Sequence, residues 1–108
     1  MTSRIDQPRS NPRIALVTGG GRNIGRAIAL DLAGAGADVA VLVRSDGAAA
    51  EGVADEVRAL GRRALTAVAD VRDESAVGAA VDRVREELGP VTVLVHAAKS
   101  AVHPWGPP

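Results

Sequence analysis

The chain has 108 residues, no cysteine, and 13 Lys+Arg against 13 Asp+Glu, a formal net charge of zero at pH 7. That balance sets up no broad field to attract nucleic acid or an anionic membrane, and the missing cysteines exclude a disulfide framework, a thiolate metal site and a cysteine nucleophile. With 46% hydrophobic and 24% charged residues the composition is that of one ordinary soluble globular domain, and the absence of tyrosine excludes any mechanism that needs a phenolic hydroxyl.

Residues 1–12 are polar, carry Arg4, Pro8, Arg9 and Pro12, and hold no apolar run that could serve as a signal peptide or membrane span. A disordered arm on a cytoplasmic protein is the expectation. Strand-length apolar runs then recur at Arg13 to Thr18, Asp38 to Val43, Ala64 to Val68 and Val91 to Val95. None alternates cleanly, which is the pattern of strands buried on both faces.

Between them lie three segments of helical period. The first starts near Asn23, places Ile24, Ile28 and Leu32 on one face, and ends in Gly34-Ala35-Gly36. In the second, Ser45 or Asp46 caps the start, Val53, Val57 and Leu60 share a face, and Gly61 stops it. In the third, Asp73 caps the start, Val77, Val81, Val84 and Leu88 form the stripe, and Gly89-Pro90 ends it.

Alternation of strand and helix, joined by right-handed crossovers, predicts a partial α/β Rossmann fold: a doubly wound parallel sheet of four strands in the order 3-2-1-4 with three helices. Residues 13–99 form this half-domain, and residues 100–108, rich in proline, read as coil. The carboxyl ends of strands one and four meet at the switch point, where such sheets bind ligands.

Directly after strand one comes Thr18-Gly19-Gly20-Gly21-Arg22-Asn23-Ile24-Gly25, running into the first helix. Glycines between a strand and a helix let the backbone approach a pyrophosphate lying on the helix amino terminus. Gly19 serves the tight turn and Gly25 the close packing of helix on strand. The run resembles the Thr-Gly-x-x-x-Gly-x-Gly fingerprint of the short-chain dehydrogenases/reductases, and the resemblance extends from Arg13 to Ala98. Asn23 stands where the family has its middle glycine, and Asn is the side chain that best tolerates a left-handed backbone.

The resemblance carries further residues with it. Asp70-Val71, ending strand three, matches the family's Asp-Val pair that contacts adenine. His96-Ala97-Ala98-Lys99 aligns with its Asn-Asn-Ala-Gly segment near the nicotinamide ribose; only Ala98 matches, and His96 is given no acid-base role. A site that prefers NAD presents an acidic residue at the end of strand two for the ribose 2′-hydroxyl; here Arg44-Ser45 stands instead, with Asp46 the one nearby acid and free to turn away as a helix cap. Arg22 is a second cation at a position where relatives that prefer NADP carry a basic residue. The expected cofactor set is Gly19, Gly21, Arg22, Asn23, Ile24, Gly25, Arg44, Ser45, Asp70, Val71, His96, Ala97 and Ala98, with NADP(H) preferred over NAD(H), no metal and no catalytic residue.

Family chemistry runs on Ser, Tyr and Lys, the last two in a Tyr-x-x-x-Lys arrangement downstream of the fourth strand. This chain has no tyrosine, and its one lysine is Lys99. The resemblance therefore implies a gene for an NADP(H)-dependent oxidoreductase acting on carbonyl or hydroxyl groups, cut short before its catalytic residues. A nucleotide-binding module without catalysis and a nonfunctional remnant stand beside that reading. A small-molecule substrate would require the missing carboxyl-terminal half, and self-association through the exposed fourth strand is expected.

Overall fold

The computed structural model describes residues 13–19 and 23–97. The order is β1 (Ile14–Thr18), α1 (Asn23–Gly34), β2 (Asp38–Val43), α2 (Gly47–Ala59), β3 (Ala64–Val68), α3 (Glu74–Glu87) and β4 (Val93–His96). The strands form one parallel sheet in the order β3-β2-β1-β4, as the alternation of periods predicts. The expectations of a disordered arm over residues 1–12 and a coil over residues 100–108, and the placements of Gly21, Arg22, Ala98 and Lys99, lie outside the described residues.

Because side chains alternate across a strand, the two central strands feed two cores at once. Ala15, Val17, Val39, Val41 and Val43 point to one face, where α1 brings Ala29 and Ala33 and α2 brings Ala50, Val53 and Val57. Ile14, Leu16, Ala40, Leu42 and Leu65 point to the other, where Ala80, Val84 and Leu88 cover them. All residues of β1 and β2 are buried.

Caps fix the helix ends. The Asp46 carboxylate accepts the Ala49 N–H at 3.0 Å, which selects Asp46 over Ser45 as the α2 cap, and Asp73 does the same for Ala76 at 3.1 Å. At Gly36 (φ 101) and Gly61 (φ 86) the chain turns left-handed and closes both preceding helices with paired amides, Ala37 to Leu32 and Gly36 to Ala33, Arg62 to Val57 and Gly61 to Arg58.

Four expectations need correcting. The buried line of α1 is Gly25, Ala29 and Ala33, one residue out of step with Ile24, Ile28 and Leu32; Ile24 is 70% exposed. Small side chains on that line bring the helix close to the valine-rich sheet, so residue size rather than hydropathy selects the face. Leu60 is the carboxyl cap of α2 and lies exposed. Strand β4 begins at Val93, not Val91: the Ile14 N–H, which a longer ladder would give to a backbone carbonyl, goes to the Thr92 hydroxyl at 3.1 Å. Finally, β3 and β4 are not buried on both faces, since they are the outer strands among the described residues.

The amino end of the sheet is tied by charge. Asp38 is 2% exposed, and its carboxylate accepts from the Arg63 N–H (2.9 Å), Arg63 Nε (3.1 Å) and Arg62 Nε (3.3 Å). Arg63 also donates to the Leu88 carbonyl at 2.9 Å, joining the end of α3 to the start of β2.

Candidate functional site

The carboxyl ends of all four strands lie on one side of the sheet, because every pairing is parallel. There β1 runs into Gly19 (φ 76), whose N–H extends the ladder to the Leu42 carbonyl at 2.7 Å. Helix α1 then opens at Asn23 with φ 53, the left-handed conformation anticipated for an asparagine at that position. Across its twelve residues α1 carries no acidic side chain in the first turn, so its amino-terminal N–H groups and dipole are not answered by a local carboxylate. Gly25 is buried, as close helix-on-strand packing requires, while Ile24 sits exposed on the first turn.

Next to this turn, β4 brings His96 opposite Thr18. The Thr18 hydroxyl and His96 Nδ1 share a hydrogen bond of 2.7 Å, and Thr18 is buried. A side-chain bridge thus ties the ends of the two strands that flank the switch point, in the segment where the family has an amide. Ala97 continues the ladder through its N–H to the Thr18 carbonyl at 2.9 Å. Thr18 was read as the first residue of the glycine-rich run, but its side-chain bond to His96, 78 residues away, was not legible.

On the other flank, β2 ends at Val43 in register with Val68 of β3, which brings Arg44 and Asp70 together. Their separation, Arg44 Nε to Asp70 Oδ2, is 3.8 Å. This corrects the expectation that Asp46 is the one acid near Arg44. Asp46 is indeed turned to the α2 cap, yet Asp70 faces the guanidinium. Asp70 is itself held by Arg72, whose Nε and Nη2 donate to the two carboxylate oxygens at 3.0 and 2.8 Å and whose N–H donates to Oδ1 at 2.9 Å. These Arg72 bonds, side chain first and backbone second, hold the Asp70 carboxyl well below the usual carboxylate range, with the Arg72 and Arg44 charges adding to them against a smaller effect of burial. Ser45 and Val71 are exposed beside this cluster.

The structure therefore gathers Gly19, Asn23, Ile24, Gly25, Arg44, Ser45, Asp70, Val71, His96 and Ala97 along the carboxyl edge. Gly21, Arg22 and Ala98 lie outside the described residues. Arg72 was missed, although its signal was present: Asp70-Val71-Arg72 directly after a strand is the spacing at which an Asp side chain bonds the backbone two residues on. Among the described residues no three His, Cys, Asp or Glu side chains gather to hold a metal ion.

Comparison with known proteins bears on the family and the fold. Residues 13–104 match the family model described as short chain dehydrogenase. Versicolorin reductase of Emericella nidulans is 40% identical over 92 residues, covering 85% of this chain and 35% of that protein. The 2,3-dihydro-2,3-dihydroxybenzoate dehydrogenase of Bacillus subtilis is 38% identical over 86 residues, covering 80% and 33%. A crystal structure of a short chain dehydrogenase from Burkholderia cenocepacia in complex with NADP superposes with a TM-score of 0.72 at 49% identity, over 76% of this chain and 34% of that one. The chain thus spans about a third of the length of the relatives it matches.

Proposed function

Because the chain belongs to the short chain dehydrogenase family, we propose that residues 13–99 form the dinucleotide-binding part of a cytoplasmic oxidoreductase that uses NADP(H) in preference to NAD(H). Arg44 carries the preference. It follows the last residue of β2, where a carboxylate would select the free 2′-hydroxyl of NAD, and its side chain is 70% exposed at the carboxyl edge. A guanidinium there offers a planar fork of donors to a phosphate. The relative from Burkholderia cenocepacia, solved with NADP, supports the same reading.

Each part of the edge takes a share of the ligand. The N–H groups of Asn23, Ile24 and Gly25, at the start of α1, suit the pyrophosphate, and the left-handed turn at Asn23 lets the backbone enter the helix there. Arg44 and Arg22 take the 2′-phosphate, with Ser45 beside them. Asp70 and Val71 receive the adenine, and the segment from His96 to Ala98 lines the ribose of the nicotinamide. Bound NADP(H) supplies the hydride. With no tyrosine among the 108 residues, a catalytic role is assigned to none of them; turnover is a property of the greater length that relatives have. By itself the chain binds without turning over, and β4 offers a strand edge to a second copy.

Titration of NADPH fluorescence with the purified chain should give a saturable change, and its absence would reject dinucleotide binding. Arg44→Asp should weaken NADP+ at least tenfold and strengthen NAD+. An unaltered NADP+/NAD+ ratio would remove Arg44 from the site.

A further inference from the structure

Arg72 is the residue that holds the Asp70 carboxylate, and neither the glycine-rich turn nor the strand ends single it out. It makes a two-toothed contact with Asp70 at 3.0 and 2.8 Å, closed by its own N–H at 2.9 Å. Arg44 approaches the same carboxylate only to 3.8 Å, outside hydrogen-bonding distance. One carboxylate lies between two guanidinium groups, hydrogen-bonded to Arg72 and more loosely ion-paired with Arg44. The cluster keeps one net positive charge, and the larger share of it lies with Arg44. Without Arg72, Asp70 would turn its whole charge on Arg44 and cancel it.

We infer that Arg72 is a positioning residue for cofactor choice: by taking up the Asp70 carboxylate it leaves Arg44 only loosely ion-paired and open to a phosphate monoester. That this monoester is the 2′-phosphate of a dinucleotide rests on the reading above; the arrangement of charge does not. The two arginines are suited to different tasks. Arg44, with 70% of its side chain exposed and no close bond to Asp70, can turn to a ligand at little cost. Asp70, one third exposed and bonded on both oxygens, stays where it is. Opposite charges a few ångströms apart at a wet surface change an association constant by several-fold to tenfold.

The test uses the 108-residue chain and two measurements: NADP+ and NAD+ affinities by calorimetry, and the shift of the Arg44 Nε–Hε resonance on adding inorganic phosphate. Arg72→Gln should lower the NADP+/NAD+ affinity ratio about tenfold and abolish the phosphate shift. Combining it with Asp70→Asn removes the carboxylate along with its counter-ion and should restore both; a ratio cancels losses in adenine binding, which the two dinucleotides share. An amide spectrum of each variant confirms that it folds. The inference is overturned by an unchanged Arg72→Gln, by a double variant that stays impaired, or by a wild-type chain whose Arg44 does not respond to phosphate. If the wild type binds NADP+ no better than NAD+ while the phosphate pattern holds across the three proteins, the dinucleotide reading falls and the role of Arg72 stands.

Discussion

Asp38 shows how a buried charge is tolerated in so small a core. Burial alone would push its carboxyl up, but the Arg63 N–H, the Arg63 guanidinium and the charges of Arg63 and Arg62 outweigh it and hold the group below the ordinary aspartate value. A lowered folded-state pKa means that the native state favours the ionised form. The resulting stability is present above the unfolded value of about 3.9 and is lost as pH falls through the folded one. Asp38→Asn leaves two arginines facing a neutral amide and should cost about 2 kcal/mol at pH 7, below the range for fully buried pairs because both partners reach solvent. At pH 3 the cost should shrink. Urea midpoints at the two pH values measure this, and an equal loss at both would show that packing, not charge, is what Asp38 provides.

At the scale of elements, α3 stands apart: it covers its face of the sheet alone among the described helices, while α1 and α2 share the other. Its start depends on the Asp73 side chain accepting the Ala76 N–H. Asp73→Ala should therefore lower stability by about 1 kcal/mol, read as a lower urea midpoint with an unchanged slope; a change in slope would mean that α3 detaches independently. Both this cap and the positions of α2 and α3 were legible in the sequence, because an Asp before a periodic run and a Gly after it are local signals. The sheet order was legible too, from the alternation of periods. What was not legible depends on neighbours. The face of α1 is chosen by the small side chains Gly25, Ala29 and Ala33 against the valines of the sheet, which hydropathy alone scores below Ile24 and Leu32. The start of β4 is set by the Thr92 hydroxyl competing for the Ile14 N–H. In the site, the glycine turn and the left-handed Asn23 could be read residue by residue, whereas the facing of Arg44 and Asp70 follows only once β2 and β3 are known to be adjacent.

For the molecule as a whole, the two outer strands are treated differently. Along β3, the outward carbonyls of Ala64 and Thr66 accept from Arg58 (3.2 Å) and Arg83 (3.1 Å), so guanidinium groups from α2 and α3 close that edge. The bond from the Ala97 N–H to the Thr18 carbonyl fixes the alternation along β4, which turns the Leu94 and His96 amides away from β1. Leu94, 66% exposed, adds an apolar side chain to that strand. Among the described residues no guanidinium closes β4 as Arg58 and Arg83 close β3. An apolar edge whose backbone groups find no partner among the described residues is a template for another strand, and lysine on such an edge is the usual deterrent. The chain should accordingly associate as its concentration rises, seen as a growing sedimentation coefficient. Leu94→Lys should suppress that growth while leaving the far-ultraviolet circular dichroism of the dilute protein unchanged, since the side chain already faces solvent. A wild-type chain that sediments as a monomer at every concentration, or a Leu94→Lys variant that associates as readily, would show that β4 is not where copies meet.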